Sequence, residues 1–239
     1  MALWMMIFVA DVGIAMSGHR AAAQDLLVFP FNCPASVSDE TMLPTHGRGA
    51  IVEYQRRAQQ ETMFGRLDSA IQNASTVISL DPRDDCSFAI RGYAYARLGR
   101  PIKALADLSR AIELAEPRAR PSLFIDRGAV YVQLIQTAAA LADFGRAIAL
   151  DPQDSRAYYA RGVTRLIPGE DKTRHGDVVA AIKDFDAVLA ISAYRSYALC
   201  QRGLAKQELG DAKGARRDME EARRGRDIEL APIDERCLL

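Results

Sequence analysis

The sequence is poor in the residues that usually build catalytic and metal sites. Only three histidines occur among 239 residues, and the four cysteines lie far apart. There is no C-x-x-C pair, no zinc-type Cys/His spacing, no Ser/His/Asp arrangement and no phosphate-binding glycine loop. We therefore expect no enzyme activity, no metal site and no cofactor.

An excess of charge of one sign is also missing. Lys and Arg together number 31, and so do Asp and Glu, so the formal net charge is zero. Such a chain has no overall positive field to attract phosphate backbones or anionic lipid. We therefore expect no nucleic-acid partner.

The N-terminal apolar run, Ala2–Met16, is too short to cross a bilayer comfortably, and it contains Asp11. Ala21–Ala23 follow it, which is the layout of a secretory signal peptide with a small-residue cleavage site. We predict that residues 1–23 are removed, that the protein is periplasmic or secreted, and that no stable membrane anchor remains. No Lys or Arg precedes the run, so a retained helix in a cytoplasmic protein and a true anchor are the alternatives.

Two segments flank the central part of the chain. Residues 24–50 contain three prolines and two glycines without a helical period, so we predict a linker or extended arm. Residues 231–239 are assigned to a C-terminal tail. After export the cysteines could pair, with three pairings possible, at Cys33, Cys86, Cys200 and Cys237.

The central part of the chain is repetitive. An Arg, usually followed by Gly, recurs at positions 57, 91, 127, 161 and 202, in steps of 34, 36, 34 and 41 residues. Each step holds two amphipathic segments with a turn between them. This period predicts five two-helix units, at residues 51–84, 85–120, 121–154, 155–195 and 196–230. The extra length of the fourth unit is interpreted as a surface insertion.

Residue size repeats with the same period. Positions 8 and 20 of each unit are small, and position 24 is mainly bulky, which suits two helices that cross closely. Position 15 is predicted to be a turn that needs a left-handed residue. The residues there are Gly65, Gly99, Gly176 and Gly210, with Ile135 in the third unit. Pro82 and Pro152 end the second helices of units 1 and 3.

This pattern resembles the tetratricopeptide repeat (TPR) family over about residues 51–230. The resemblance implies an all-α fold, a right-handed superhelical solenoid of about five helix-turn-helix repeats. It also implies that the first helices line a groove that binds peptides or partner domains without catalysis. We therefore expect a scaffold or assembly factor with a protein or peptide partner. A purely structural spacer and an accessory domain of an enzyme complex are the alternatives.

The resemblance further implies which residues line the groove. Tyr and Arg are common anchors of protein interfaces. The predicted partner-binding residues are Tyr93, Arg97, Asp126, Arg156, Tyr159 and Tyr197. The alternative is that some of them pack against the next repeat. The Lys and Asn with which some relatives grip a chaperone's free carboxylate are missing from the matching positions, which excludes that partner.

An Asp accompanies the repeated Arg in four units. The predicted structural ion pairs are Arg91/Asp107, Arg127/Asp143, Arg161/Asp184 and Arg202/Asp218. Apolar positions flank them on the two helices of a hairpin, so we expect pairs within or between units, with Asp218 of the terminal unit more exposed. A row of arginines facing a polyanion is the alternative, but the accompanying carboxylates would cancel its field.

Overall fold

A computed structural model describes residues 45–116, 118–167, 174–191 and 195–224. The predicted signal peptide, residues 24–44 of the predicted arm and the predicted tail lie outside these ranges, as does most of the insertion. Within the described residues the secondary structure is entirely helical. The all-α helix-turn-helix prediction is therefore confirmed.

In four hairpins the first helix packs against the second helix of its repeat, in α1/α2, α3/α4, α7/α8 and α9/α10, and α2/α3, α4/α5 and α8/α9 also pack against each other. The helices are α1 Thr45–Met63, α2 Leu67–Leu80, α3 Asp85–Arg97, α4 Pro101–Ala115, α5 Pro121–Gln133, α6 Thr137–Leu150, α7 Ser155–Arg165, α8 Arg174–Ile191, α9 Arg195–Glu208 and α10 Ala212–Arg224. The chain forms two compact units, the first ending at Asp143 and the second beginning at Phe144.

An Asp-Pro turn leads from α2 into α3. Asp81 Oδ1 accepts a backbone N–H two residues on at 2.9 Å, and Asp84 Oδ2 accepts the N–H of Ser87 at 2.7 Å, which caps α3. Gln55 of α1 donates to Asp84 Oδ1 at 2.8 Å. Burial raises the pKa of Asp84, and the hydrogen bonds from Ser87 and Gln55 offset part of that rise. The turn at residues 151–154 repeats this arrangement before α7.

Glycine at position 8 lets the two helices of a hairpin approach closely. A Cβ atom on Gly92 would lie 2.8 Å from Leu108 Cγ, and one on Gly162 would lie 2.7 Å from Phe185 Cε1. Leu108 and Phe185 are fully buried. The small and bulky positions read from the sequence are therefore the two sides of one contact.

The turn between the helices of a unit needs a left-handed residue. Gly65, Gly99 and Gly210 have φ values of 71°, 67° and 83°, and Ile135 takes the same conformation at 59°. A β-branched residue is rare in this region because its Cβ crowds the backbone. The prediction for Gly176 is wrong, since this residue lies inside α8 (Arg174–Ile191). Because the insertion in the fourth unit changes where α8 begins relative to α7, position 15 counted from the start of the unit no longer falls in the turn.

Helix α1 begins at Thr45, inside the predicted arm 24–50. Gly47 and Gly49 lower helix propensity by about 1 kcal/mol each, but they do not forbid a helix. Ile51 is fully buried and fixes the packed part of α1, from which the helix extends towards its N-terminus. The boundary predicted from prolines, glycines and the missing helical period therefore differs from the structure by six residues, 45–50.

Candidate protein-interaction surfaces

The four predicted Arg/Asp pairs are ion pairs in the structure. In three units the Arg Nε and Nη2 atoms donate to the two carboxylate oxygens of the Asp, giving two parallel hydrogen bonds. The Nε–Oδ2 distances are 2.7 Å for Arg91–Asp107, 2.8 Å for Arg127–Asp143 and 2.7 Å for Arg202–Asp218. In the fourth unit Arg161 Nη2 donates to Asp184 Oδ1 at 2.6 Å. This bidentate geometry fixes the first helix against the second.

The arginines also reach back to the second helix of the preceding unit. Arg91 Nη1 donates to Ser75 Oγ at 3.1 Å, and Arg202 Nη1 donates to Asp186 Oδ1 at 2.6 Å. Ser75 and Asp186 each precede their Arg by 16 residues. The residue 16 positions before Arg161 is Gly145, which has no side chain to accept a hydrogen bond. The Arg/Asp series thus joins helices within a unit and across to the preceding one.

Aromatic rings occupy another face of these guanidinium groups. Arg91 lies 5.5 Å from the ring centre of Phe88, Arg127 lies 5.8 Å from that of Phe124, and Arg161 lies 5.6 Å from that of Tyr158. The charges of all three arginines are compensated by carboxylates, and each guanidinium also lies over an aromatic ring. Such arginines do not form a row available to a polyanion.

Asp218 differs from the expectation of greater exposure. It is 4% exposed against 6% for Asp143, and it accepts a further hydrogen bond from Lys206 at 2.8 Å. Burial raises the pKa of Asp218, but hydrogen bonds from Arg202 and Lys206 outweigh this and lower it overall. The terminal position does not expose Asp218, because Arg202 and Lys206 of α9 cover it.

The first predicted surface consists of Tyr93, Arg97 and Asp126, on α3 and α5. Arg97 Nη1 donates to the Tyr93 hydroxyl at 2.8 Å, and its guanidinium lies 5.8 Å from the ring centre. Tyr93 is only 6% exposed and Asp126 is fully buried, whereas Arg97 is exposed. Burial raises the pKa of Tyr93, partly offset by Arg97. Of these three residues, only Arg97 is accessible.

The second predicted surface consists of Arg156, Tyr159 and Tyr197, on α7 and α9. The two tyrosine rings meet edge to face with centroids 6.4 Å apart, and Tyr159 also lies 6.1 Å from Phe185. All three residues of this surface are partly exposed. The tyrosines are therefore supported from beneath by the core, and each keeps an accessible part.

Arg156 is held by a carboxylate that the sequence analysis did not assign to it. Its Nε and Nη2 atoms donate to the two oxygens of Asp154 at 2.8 Å and 2.6 Å. Asp154 is the N-cap of α7, and the Arg156 side chain is 38% exposed. The Asp two residues before the Arg was the available signal, since an N-cap carboxylate lies beside the first helical turn.

The two described cysteines, Cys86 on α3 and Cys200 on α9, are both disulfide-bonded. Both are buried, at 1% and 2% exposure. Arg120 Nη1 lies 3.2 Å from Cys86 Sγ, and Arg120 Nη2 donates to Asp85 at 3.1 Å.

Among the residues that the structure describes, His, Cys, Asp and Glu do not cluster in groups that could hold a metal ion. None of the described helices has the length and apolar character needed to span a membrane.

Comparison with known proteins identifies the repeat. The sequence model described as "Tetratricopeptide repeat" matches residues 87–117, which include α3 and α4. No curated protein sequence matches this chain. The family model thus matches one repeat of this chain.

Solved structures resemble the whole array. MamA from Desulfovibrio magneticus RS-1 superposes with a TM-score of 0.64 at 18% identity, covering 75% of this chain and 98% of that one. A second MamA structure gives 0.61 at 21% identity, with 77% and 98% covered. YrrB, described as a TPR protein with an unusual peptide-binding site, gives 0.60 at 19% identity, with 86% and 97% covered. At these identities the likeness shows the fold, which is that of a tetratricopeptide repeat protein.

Proposed function

We propose that this protein is a non-catalytic interaction module that binds a peptide or partner segment on the second surface, Arg156, Tyr159 and Tyr197. The carrying observation is the pair of partly exposed tyrosine rings, 6.4 Å apart, that project from the first helices of adjacent repeats. TPR folds act in protein–protein interaction, and YrrB is described as having a peptide-binding site.

The chemistry of the second surface favours an apolar or aromatic partner side chain. Tyr159 packs on buried Phe185, so binding would not require the ring to be ordered first. Val163 and Leu166, one and two turns further along α7, are also partly exposed and extend the apolar area. Tyr and Arg are the residue types enriched in interface hot spots, and both occur on this surface.

Selection from a random peptide library displayed on phage tests this function. We expect the wild type to enrich peptides with apolar or aromatic residues, and Tyr159→Ala/Tyr197→Ala to lose them at unchanged helicity. Tyr95→Ala is the matched control, because Tyr95 lies on α3 beside Lys103 and outside the second surface. Failure of the wild type to enrich any peptide would favour a structural spacer instead.

We also propose that residues 1–23 direct export and that the protein works in an oxidising compartment. The bonded state of Cys86 and Cys200 supports this, since cytosolic thiols are normally kept reduced. Amino-terminal sequencing of the protein from its native host should find a mature chain that begins near Gln24 or Asp25. An intact Met1 in a cytoplasmic fraction would contradict export.

A further inference from the structure

Helix α3 packs against described helices on several sides. Its Gly92 meets Leu108 of α4, and its Ile90 packs with Ala58 of α1 and Ala74 of α2. Cys86 and Tyr93, one turn before and one turn after Ile90, lie on the same side of α3 as Ile90 and are 1% and 6% exposed. Among the described helices, α3 packs chiefly against α4, α2, α1 and α5.

The same repeat positions differ in burial along the chain. At positions 5, 9 and 12 of the unit, the α3 residues Ala89, Tyr93 and Ala96 and the α5 residues Ile125, Ala129 and Val132 are all buried. The α7 residues at those positions, Tyr159, Val163 and Leu166, are all partly exposed. Each of these helices is the first helix of an internal hairpin, so repeat geometry alone does not produce the difference.

The buried residues of α3 and α5 define what we call the covered face: Cys86, Ala89, Tyr93, Ile125 and Ala129. It is apolar, and two of its members are alanines that leave room for a ligand to approach the helix backbone. Cys86 is disulfide-bonded, so whatever covers this face carries a cysteine. Cys86 and Tyr93 each have at least one further interaction partner.

We propose that residues 24–44 of this same chain lie on the covered face and that Cys33 is the disulfide partner of Cys86. Residues 26–31 of this segment read Leu-Leu-Val-Phe-Pro-Phe, which matches an apolar face. The prolines on either side of Cys33 disfavour helix, so the segment can lie extended along the helices. Cys237 is preceded by the charged residues Asp234, Glu235 and Arg236 and followed by only two apolar residues, Leu238 and Leu239, so it offers a shorter apolar segment than the one before Cys33.

The length of the segment allows this placement. Cys33 precedes Thr45, the first residue of α1, by 12 residues. Twelve extended residues reach about 40 Å, whereas α1, at 19 residues, is only about 28 Å long. Since α1 packs against α3, Cys33 can reach Cys86 without unfolding any described helix.

Formation of this bond is a two-electron oxidation. The thiols of Cys33 and Cys86 lose two protons and two electrons as the S–S bond forms. A small-molecule disulfide such as oxidised glutathione accepts them and is reduced to two thiols. Arg120 lies beside Cys86 Sγ and would stabilise the thiolate that attacks. In consequence Tyr93 of the first surface lies beneath the protein's own segment, whereas Arg97 stays exposed.

Non-reducing peptide mapping of the full chain tests the pairing directly. Trypsin separates the four cysteines, placing Cys33 in peptide 21–48, Cys86 in 84–91, Cys200 in 196–202 and Cys237 in 237–239. We expect a species that joins the peptide ending at Arg48 to 84–91 and that disappears on reduction. A link from Cys86 to Cys200 or to Cys237 would overturn the proposal.

Hydroxyl-radical footprinting tests the covering independently. In the triple variant Phe29→Ser/Phe31→Ser/Cys33→Ser, oxidation of Tyr93 should rise severalfold, while oxidation of Tyr159 stays unchanged. Cys237→Ser is the matched control and should leave Tyr93 protected. Continued protection of Tyr93 in a triple variant of normal helicity would mean that another element covers this face. The peptide map needs no variant, so it decides the pairing even if the triple variant loses helicity.

Discussion

Replacing Asp143 by Ala removes one partner of the central ion pair and leaves the guanidinium of Arg127 without its carboxylate. Asp143 is 6% exposed and accepts two hydrogen bonds from Arg127, each of 2.8 Å. Those bonds hold the pKa of the Arg127 guanidinium above its ordinary value. The Arg127 guanidinium is therefore charged at any ordinary pH, and the variant leaves that charge without the carboxylate of Asp143.

The expected loss of stability follows from how deeply the pair is buried. Removing one partner of a fully buried pair costs about 3 to 5 kcal/mol. The Arg127 side chain is 20% exposed, so water can solvate part of the charge that remains. The rings of Phe124 and Tyr131, with centroids 5.8 Å and 5.9 Å away, retain a favourable contact with it. We therefore expect Asp143→Ala to lower the free energy of unfolding by about 2 to 3 kcal/mol.

Urea denaturation followed by circular dichroism measures this loss as a shift of the midpoint at constant slope. The double variant Arg127→Leu/Asp143→Leu should recover a large part of it, because no unpaired charge remains. Glu113→Ala is the matched control. Glu113 pairs with Arg110 at 3.1 Å with its side chain 66% exposed, and an exposed pair is worth about 0 to 1 kcal/mol.

Two results would refute this reasoning. If Asp143→Ala behaves like Glu113→Ala, the pair contributes little to stability, and Arg127 becomes available to bind a partner. If the single variant is strongly destabilised but the double variant is no better, the cost comes from lost packing between α5 and α6 rather than from an unpaired charge.

Substitutions at four further sites test other local features. Ile135→Gly should raise the free energy of unfolding, measured by urea denaturation, by about 1 kcal/mol because it relieves a β-branched residue at positive φ, and Ile135→Ala should gain less. Ala is a better helix former than Ser, but Gly145→Ser should stabilise the protein at least as much as Gly145→Ala, because the serine hydroxyl can accept a hydrogen bond from Arg161. A clearly higher stability of Gly145→Ala would contradict this hydrogen bond. The pKa of Asp84 is raised, so its ionisation opposes folding, and the stability of Asp84→Asn relative to wild type should increase as pH rises through that pKa. The pKa of Asp218 is lowered, so its ion pairs should contribute fully to the free energy of unfolding above the unfolded-state pKa of about 4, and this contribution should fade as pH falls below it. Urea melts of the wild type and Asp218→Asn from pH 7 to pH 3 check this: the advantage of the wild type should shrink towards pH 3.

The fold was predictable because equivalent positions of the repeats make the same contacts. Gly92 against Leu108 and Gly162 against Phe185 are one steric requirement met twice, and a period of about 34 residues reveals it. The misplaced boundaries have a common origin. Gly176 and the start of α1 lie where the period is interrupted or has not begun, and there glycine content is a weak guide because it lowers helix stability without forbidding a helix.

The exposure of the candidate site was less predictable, because exposure does not follow the period. Ala129 and Val163 share position 9 and have the same repeat geometry, yet Ala129 is fully buried and Val163 is partly exposed. Asp218 likewise is buried because Arg202 and Lys206 of α9 cover it, although it belongs to the terminal unit. A repeat pattern can only assign a residue to a face. What covers that face depends on residues that occur only once in the chain. The disulfide-bonded Cys86 is therefore a better indicator of access to the groove than the repeat period is.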